Sequence, residues 1–265
     1  MILITESEDL EVFSFIFGAV IGSFLNVLIL RLPLNKSVVF PRSSCPSCTK
    51  TIAWYYNIPL VSFIFLRAKC AYCKTKISSQ YFIVELLSAT LTLALFIKLG
   101  ISKEFIYMSL LIYTCITLSF IDFKYKAVPD YLLLIVLILS FFATSFSLVE
   151  SFENAFLFSG IFVLLNFIIT FYIQNIKAKL LDNADLRTQE ALGEGDIPII
   201  ATIAVVLGIK GALIAIFLAA IFAIIPSIYS NLVKKDIETA FIPYLIMGML
   251  SVYFFDLENI LKVFF

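Results

Sequence analysis

Two aspartates and two cysteine pairs carry the chemistry this sequence offers. Asp122 closes an apolar stretch in the run Phe120-Ile121-Asp122-Phe123-Lys124, and Asp196 opens another in Gly193-Glu194-Gly195-Asp196-Ile197-Pro198. Carboxylates inside or at the margin of membrane spans are costly, which makes them candidates for function. The chain contains no histidine. That excludes Ser-His and Cys-His nucleophilic pairs, HExxH metalloproteases and His-ligated haem or copper, and leaves acid–base work to Asp, Glu, Lys, Tyr or Cys. An aspartyl mechanism needs two carboxyls close enough to share a proton, one ionised to activate water and one protonated to polarise an amide. Asp122 and Asp196 are the pair that could do this, with Gly193 and Gly195 shaping the turn before Asp196. Taken singly, each has a plainer role: Asp196 as an N-cap ahead of Pro198, Asp122 as a surface partner of Lys124 or Lys126.

The cysteines form two pairs, Cys45-Pro46-Ser47-Cys48 and Cys70-Ala71-Tyr72-Cys73, with 21 residues between them. Two CxxC pairs at such a spacing suit a tetrahedral thiolate site, usually structural Zn²⁺ with sulfurs about 2.3 Å from the ion. Four thiolates leave no open position for a catalytic water. Two disulfides are the alternative, which a reducing cytosol disfavours. The fifth cysteine, Cys115, lies within an apolar span and reads as a small buried hydrophobe.

These groups must be positioned by a chain of 265 residues, 62% of them hydrophobic and 14% charged, with a mean hydropathy of +1.04. A soluble domain carries about 45–50% apolar and about 25% charged residues. The composition therefore implies an all-α polytopic membrane protein surrounded by lipid. Formal net charge is zero, from 19 basic and 19 acidic residues, so nothing points to nucleic acid as a partner. Eight apolar stretches are expected at about 12–30, 81–97, 105–121, 131–149, 155–173, 197–207, 212–228 and 241–255. They are continuous rather than alternating, which disfavours a closed barrel. The sixth is 11 residues long, about 16 Å as a helix, too short to cross about 30 Å of hydrocarbon. It must begin below the surface, which places Asp196 within the membrane profile. The first stretch follows an acidic N-terminus and is not a cleavable signal.

The only long polar segment is 31–80, with eight basic residues and no acidic one. Such a segment stays in the cytoplasm. Following the chain, the connections near 122–130, 175–196 and 229–240 also fall inside, so that fifteen of nineteen basic residues are cytoplasmic and both termini lie outside. The expected organisation is a first membrane helix at 1–30, a cytoplasmic tetracysteine segment at 31–80, and a seven-helix membrane domain at 81–265 carrying both aspartates at its cytoplasmic ends. The apolar run between Asn57 and Leu66 is too short to span and should lie on the membrane surface, with Trp54 and Tyr55 at the headgroups. The spacing of Gly18 and Gly22 suits close helix packing; Asn26 and Glu85 are polar residues within spans, read as structural, Asn26 hydrogen-bonding between helices and Glu85 accepting from the basic cytoplasmic segment, with a role toward a substrate or a bound group as the alternative for each.

Taken together these residues resemble the type IV prepilin peptidases, the leader peptidases of pilus and type II secretion systems. The likeness runs through Gly22-Ser23-Phe24-Leu25-Asn26-Val27 into Arg31-Leu32-Pro33, both CxxC pairs, Asn57-Ile58-Pro59, Val84-Glu85-Leu86-Leu87, Asp122 with Val128-Pro129-Asp130, and Gly193-Glu194-Gly195-Asp196. The resemblance implies a bacterial inner-membrane aspartyl endopeptidase acting at the cytoplasmic face. It would cut prepilins or pseudopilins after a glycine, between a short basic leader and the apolar start of the mature helix, with Asp122 and Asp196 as the catalytic pair. Members often also N-methylate the new N-terminus with S-adenosylmethionine. This chain departs from the family in two places: Pro198 stands where many members have Lys, and Ala68 where many have Gly before the second CxxC. A presenilin-like or signal-peptide-peptidase-like protease also uses Gly-x-Gly-Asp, but its Pro-Ala-Leu segment is absent. A transporter with a carboxylate ion site would leave the cysteine quartet unexplained.

Overall fold

The computed structural model describes residues 2–180, 187, 192–229 and 240–257. Lys234, Lys235 and Lys262, counted in the charge reading, lie outside the described residues. Among the described residues the regular elements are helices, with two isolated antiparallel bridges, Ser44 to Thr51 and Lys69 to Lys76. The helices are α1 (Ile2–Arg31), α2 (Val61–Phe65), α3 (Ser79–Leu99), α4 (Lys103–Tyr125), α5 (Asp130–Ala143), α6 (Leu148–Phe171), α7 (Ala178–Leu180), α8 (Asp196–Tyr229) and α9 (Ile242–Phe255). A π-helical stretch, Tyr172–Lys177, joins α6 to α7.

Five of the described helical stretches are long and apolar enough to cross a membrane, and α5 and α9 are shorter apolar helices. Helix α8 is two helices joined at Gly208, whose φ of 69° and ψ of −178° interrupt the helical backbone. Counting its halves separately, the described residues hold eight apolar helical segments, as the hydropathy predicts. One boundary differs from expectation. The fourth apolar stretch does not run to Val149; α5 ends at Ala143 and α6 begins at Leu148, inside that stretch rather than at 155. Hydropathy carries through Phe146, Leu148 and Val149, but short-range hydrogen bonds turn the chain. The Ser147 hydroxyl accepts from the Glu150 amide, capping α6, and the Thr144 hydroxyl accepts from the Phe146 amide.

The chain divides into two compact units, Met1–Ile121 and Asp122–Phe265. In the first, α1 packs along α3. A Cβ on Gly18 would meet Thr92 and the Ser88 carbonyl, and one on Gly22 would meet Glu85 Cα at 2.7 Å, so the small-residue spacing is a close helix contact. The Thr92 and Tyr113 hydroxyls, 2.7 Å apart, tie α3 to α4. In the second unit α5, α6 and α8 meet around Ala155, Ala201 and Val205, with Leu137 and Phe141 packed against them. The Thr144 hydroxyl donates to the Val205 carbonyl at 2.8 Å, one turn before the break at Gly208. Trp54 is 78% exposed, and Ile64 and Phe65 beside it in the chain's polar segment are exposed as well.

Candidate active site

Both aspartates lie in the second unit, and both are buried, at 7% exposure each. Asp122 sits in the last turn of α4. That helix stops because Lys126 adopts a left-handed conformation with φ of 53°, its amide donating to the Asp122 carbonyl at 2.9 Å. The Asp122 carboxylate accepts from the Ile242 amide at 3.2 Å through Oδ2. Ile242 is the first residue of α9, so Asp122 caps that helix from 120 residues away. Asp196 begins α8. Its amide donates to the Gly193 carbonyl at 3.0 Å, and its Oδ2 accepts from the Gly193 amide at 3.2 Å. The turn before α8 thus holds the carboxylate that follows it. Gly195, next to Asp196, packs against the side chain of Ile242, whose amide donates to Asp122, so the end of α4 and the base of α8 both meet the start of α9.

The two glycines do different work. A Cβ on Gly195 would lie 2.9 Å from Val128 Cγ2, 3.4 Å from Ile242 Cδ1 and 3.5 Å from Leu133 Cδ1. Absence of a side chain there lets the 126–130 turn and the start of α9 close on the base of α8. At Gly193 the nearest atom to a Cβ is Asp196 Oδ2, an ordinary 3.5 Å contact.

Sequence reasoning grouped Asp122, Asp196, Gly193 and Gly195 and expected a span at 241–255, but it did not bring the start of that span, α9, to the site. The Ile242 amide bonds the Asp122 carboxylate, and Tyr244, two residues further into α9, is buried. The signal was faint: Pro243 at the second position of a helix marks a helix start. Nothing in a sequence shows that a backbone amide there meets a carboxyl 120 residues away.

In the first unit the two CxxC pairs form matching hairpin turns. In one, the Cys45 amide donates to the Lys50 carbonyl and the Thr49 amide to the Cys45 carbonyl; in the other, Cys70 bonds Thr75 and Lys74 bonds Cys70 in the same way. The residue after each pair, Thr49 or Lys74, has positive φ. All four sulfurs lie within 4.8 Å of one another, and Cys45 Sγ and Cys73 Sγ are 3.8 Å apart. A tetrahedral ion with Zn–S bonds of about 2.3 Å holds its sulfurs about 3.8 Å apart. The geometry fits a metal, and the cysteines are free thiols rather than disulfides. The Thr75 hydroxyl and amide hold the Cys73 thiol down at about 6. Lys50 stands over the Tyr72 ring at 5.4 Å, one hairpin against the other.

Residues 16–99 match the bacterial peptidase A24 N-terminal domain, and residues 109–228 match the type IV leader peptidase family. A prepilin leader peptidase/N-methyltransferase of Bacillus subtilis (strain 168) is 31% identical over 249 residues, 91% of this chain and 92% of that protein. This chain belongs to the type IV leader peptidase family. A leader peptidase/N-methyltransferase of Vibrio cholerae is 32% identical over 219 residues, 79% of this chain and 82% of that one. A Myxococcus xanthus relative of the same name is 44% identical over 118 residues, 44% of this chain and 35% of that one. No solved structure matches the chain. The two family regions separate the two candidate centres: the cysteine quartet falls in the A24 N-terminal region, and both aspartates fall in the leader-peptidase region.

Proposed function

We propose that this leader peptidase cleaves type IV prepilins or pseudopilins with Asp122 and Asp196 as its catalytic pair, at the cytoplasmic face of the bacterial inner membrane. One observation carries the reading: two carboxyls far apart in sequence are buried in one unit, each held at a helix end, Asp122 bonded by the Ile242 amide and Asp196 following the Gly195 that packs against Ile242. Two such groups share one proton. The ionised member takes a proton from the attacking water while the protonated member polarises the scissile carbonyl, and the roles reverse as the amine leaves. With no histidine in the chain, no other general base is required. The apolar mature helix of such a substrate suits the bilayer.

The test is replacement of each carboxyl by its isostere. Asp122→Asn keeps an acceptor for the Ile242 amide, and Asp196→Asn keeps one for Gly193. Both variants should stay folded and should lose leader removal by on the order of 10³-fold or more, read by mass spectrometry of a prepilin incubated with purified protein. Near-normal cleavage by either variant rejects the pair.

Zn²⁺ is the ion that the Cys45, Cys48, Cys70 and Cys73 quartet would hold, as a structural staple for 31–80. S-adenosylmethionine would supply the methyl group for N-methylation of the new N-terminus. A cavity of about 520 Å³ in the first unit, walled by Val27, Arg31, Pro41, Arg42, Trp54 and Asn57 among others, is within the size range of such ligands. Trp54 offers a stacking face, Asn57 both a donor and an acceptor, and the arginines a partner for a carboxylate. The transporter reading has no use for either the quartet or the cavity.

A further inference from the structure

Between Glu11 and Glu104 the chain has ten basic residues and one acidic residue, Glu85. An acid so outnumbered would be expected to pair with a cation, and among the described residues it does not. Glu85 lies on α3 at 7% exposure. Its carboxylate accepts from the Leu60 amide at 2.8 Å through Oε2, with no basic side chain beside it among the described residues. One neutral donor leaves lone pairs of the carboxylate unused. A buried carboxylate without a cation is costly unless something compensates it.

A second polar atom nearby is also unsatisfied. Asn26, at 1% exposure on α1, spends its Nδ2 on the carbonyls of Gly22 and of Tyr81, one turn before Glu85. Its Oδ1 has no partner. The two spare groups are both acceptors, and no cation of the described residues meets them. Val27, which follows Asn26 in the chain, and Asn57, three residues before Leu60, are part of the wall of the cavity described above.

We propose that Glu85 and Asn26 receive the α-ammonium of the newly cut substrate, and that Glu85 is the base for its methylation. The inference rests on the methyltransferase reading above. An ammonium offers three donors, enough for both carboxylate oxygens and Asn26 Oδ1. For transfer, the ammonium gives one proton to the Glu85 carboxylate and becomes a neutral amine. The nitrogen lone pair then forms the new bond to the methyl carbon as the carbon–sulfur bond of the sulfonium donor breaks, its electrons remaining on sulfur. The sulfonium leaves as a neutral thioether, the methylated nitrogen carries the positive charge, and Glu85 returns its proton to water.

The alternative is that Glu85 only secures Leu60, whose φ of 59° is uncommon for a non-glycine residue. Glu85→Gln separates the two, because the glutamine carbonyl can still accept from the Leu60 amide while the charge is gone. The probe is a synthetic apolar helix with a free α-amine and a C-terminal fluorophore, compared with the same peptide N-acetylated. Both are titrated by anisotropy against full-length protein in detergent, and methyl transfer from S-adenosylmethionine is read separately as a 14 Da increment. The wild type should prefer the free amine by on the order of tenfold or more. In Glu85→Gln that preference should vanish, and methyl transfer should fall by on the order of 10²-fold. A wild type that binds both peptides alike overturns the proposal without any variant. So does a Glu85→Gln protein that keeps both the preference and the transfer. A wild type that methylates no peptide overturns the methyltransferase reading, and the proposal falls with it.

Discussion

Gly195 shows how a small residue can decide whether a site forms. The carboxyls come from opposite ends of different helices, and the 126–130 turn that follows Asp122 must pass directly over the base of α8. Val128 Cγ2 would stand 2.9 Å from a Cβ at Gly195, closer than carbon atoms pack. Gly195→Ala should therefore push the turn outward and cost about 1–3 kcal/mol of stability, together with most of the cleavage activity. Val128→Ala in the same chain should restore much of both, a coupling that a double-mutant cycle measures directly. Gly193→Ala, facing only an ordinary contact, should cost far less. Equal loss from the two alanine variants would reject close approach as the reason for Gly195. Much of this site is legible from sequence, because carboxyls in apolar surroundings are rare and conspicuous. The Val128 contact is not, since an apolar residue in a turn looks the same whether it packs against a glycine or faces lipid.

At the level of elements, the hydropathy pattern shows where helices run but not how they end. Gly208 is a boundary that pattern and structure agree on. Its φ of 69° belongs to the region that side chains avoid, and a Cβ there would also stand 2.9 Å from the Phe146 ring. Gly208→Ala should destabilise the second unit by about 1–3 kcal/mol, measured by thermal unfolding in detergent. Adding Phe146→Ala should recover only the steric part, because the backbone strain remains. The α5–α6 junction was hidden for the opposite reason: hydroxyl caps at Thr144 and Ser147 turn the chain inside a sequence that stays apolar. The cysteine hairpins were the most legible element, since spacing alone determines which sulfurs can meet. Purified protein should contain about one equivalent of Zn²⁺. Stripping it with a chelator should raise hydrogen exchange at 43–52 and 68–77, because binding energy is folding energy in such a site. Unchanged exchange after complete metal loss would show that the hairpins stand without an ion.

For the molecule as a whole, the decisive asymmetry is charge. Eight of nineteen basic residues lie in 31–80, where no acid offsets them, and the structure presents this segment with exposed aromatic and aliphatic side chains at Trp54, Ile64 and Phe65. Moving eight cations outward against a potential of 100 mV would cost on the order of 20 kcal/mol, which supports the cytoplasmic orientation proposed above. With eight apolar segments alternating in direction, that orientation requires the C-terminal end of α4 and the N-terminal end of α8 to lie on the cytoplasmic side of the membrane. An orientation fixed in this way can be read without purification. A biotin-acceptor peptide placed after Lys36 or after Lys126 in the full-length chain should be modified by a cytoplasmic biotin ligase. The same peptide after Ser102 or after Ser145 should stay unmodified, because those connections fall on the far side. Modification at all four positions would mean that the helices do not alternate as the charge pattern requires. A reversed pattern would place Asp122 and Asp196 on the far side, away from a leader that has not yet crossed, and the peptidase reading would lose its access to substrate.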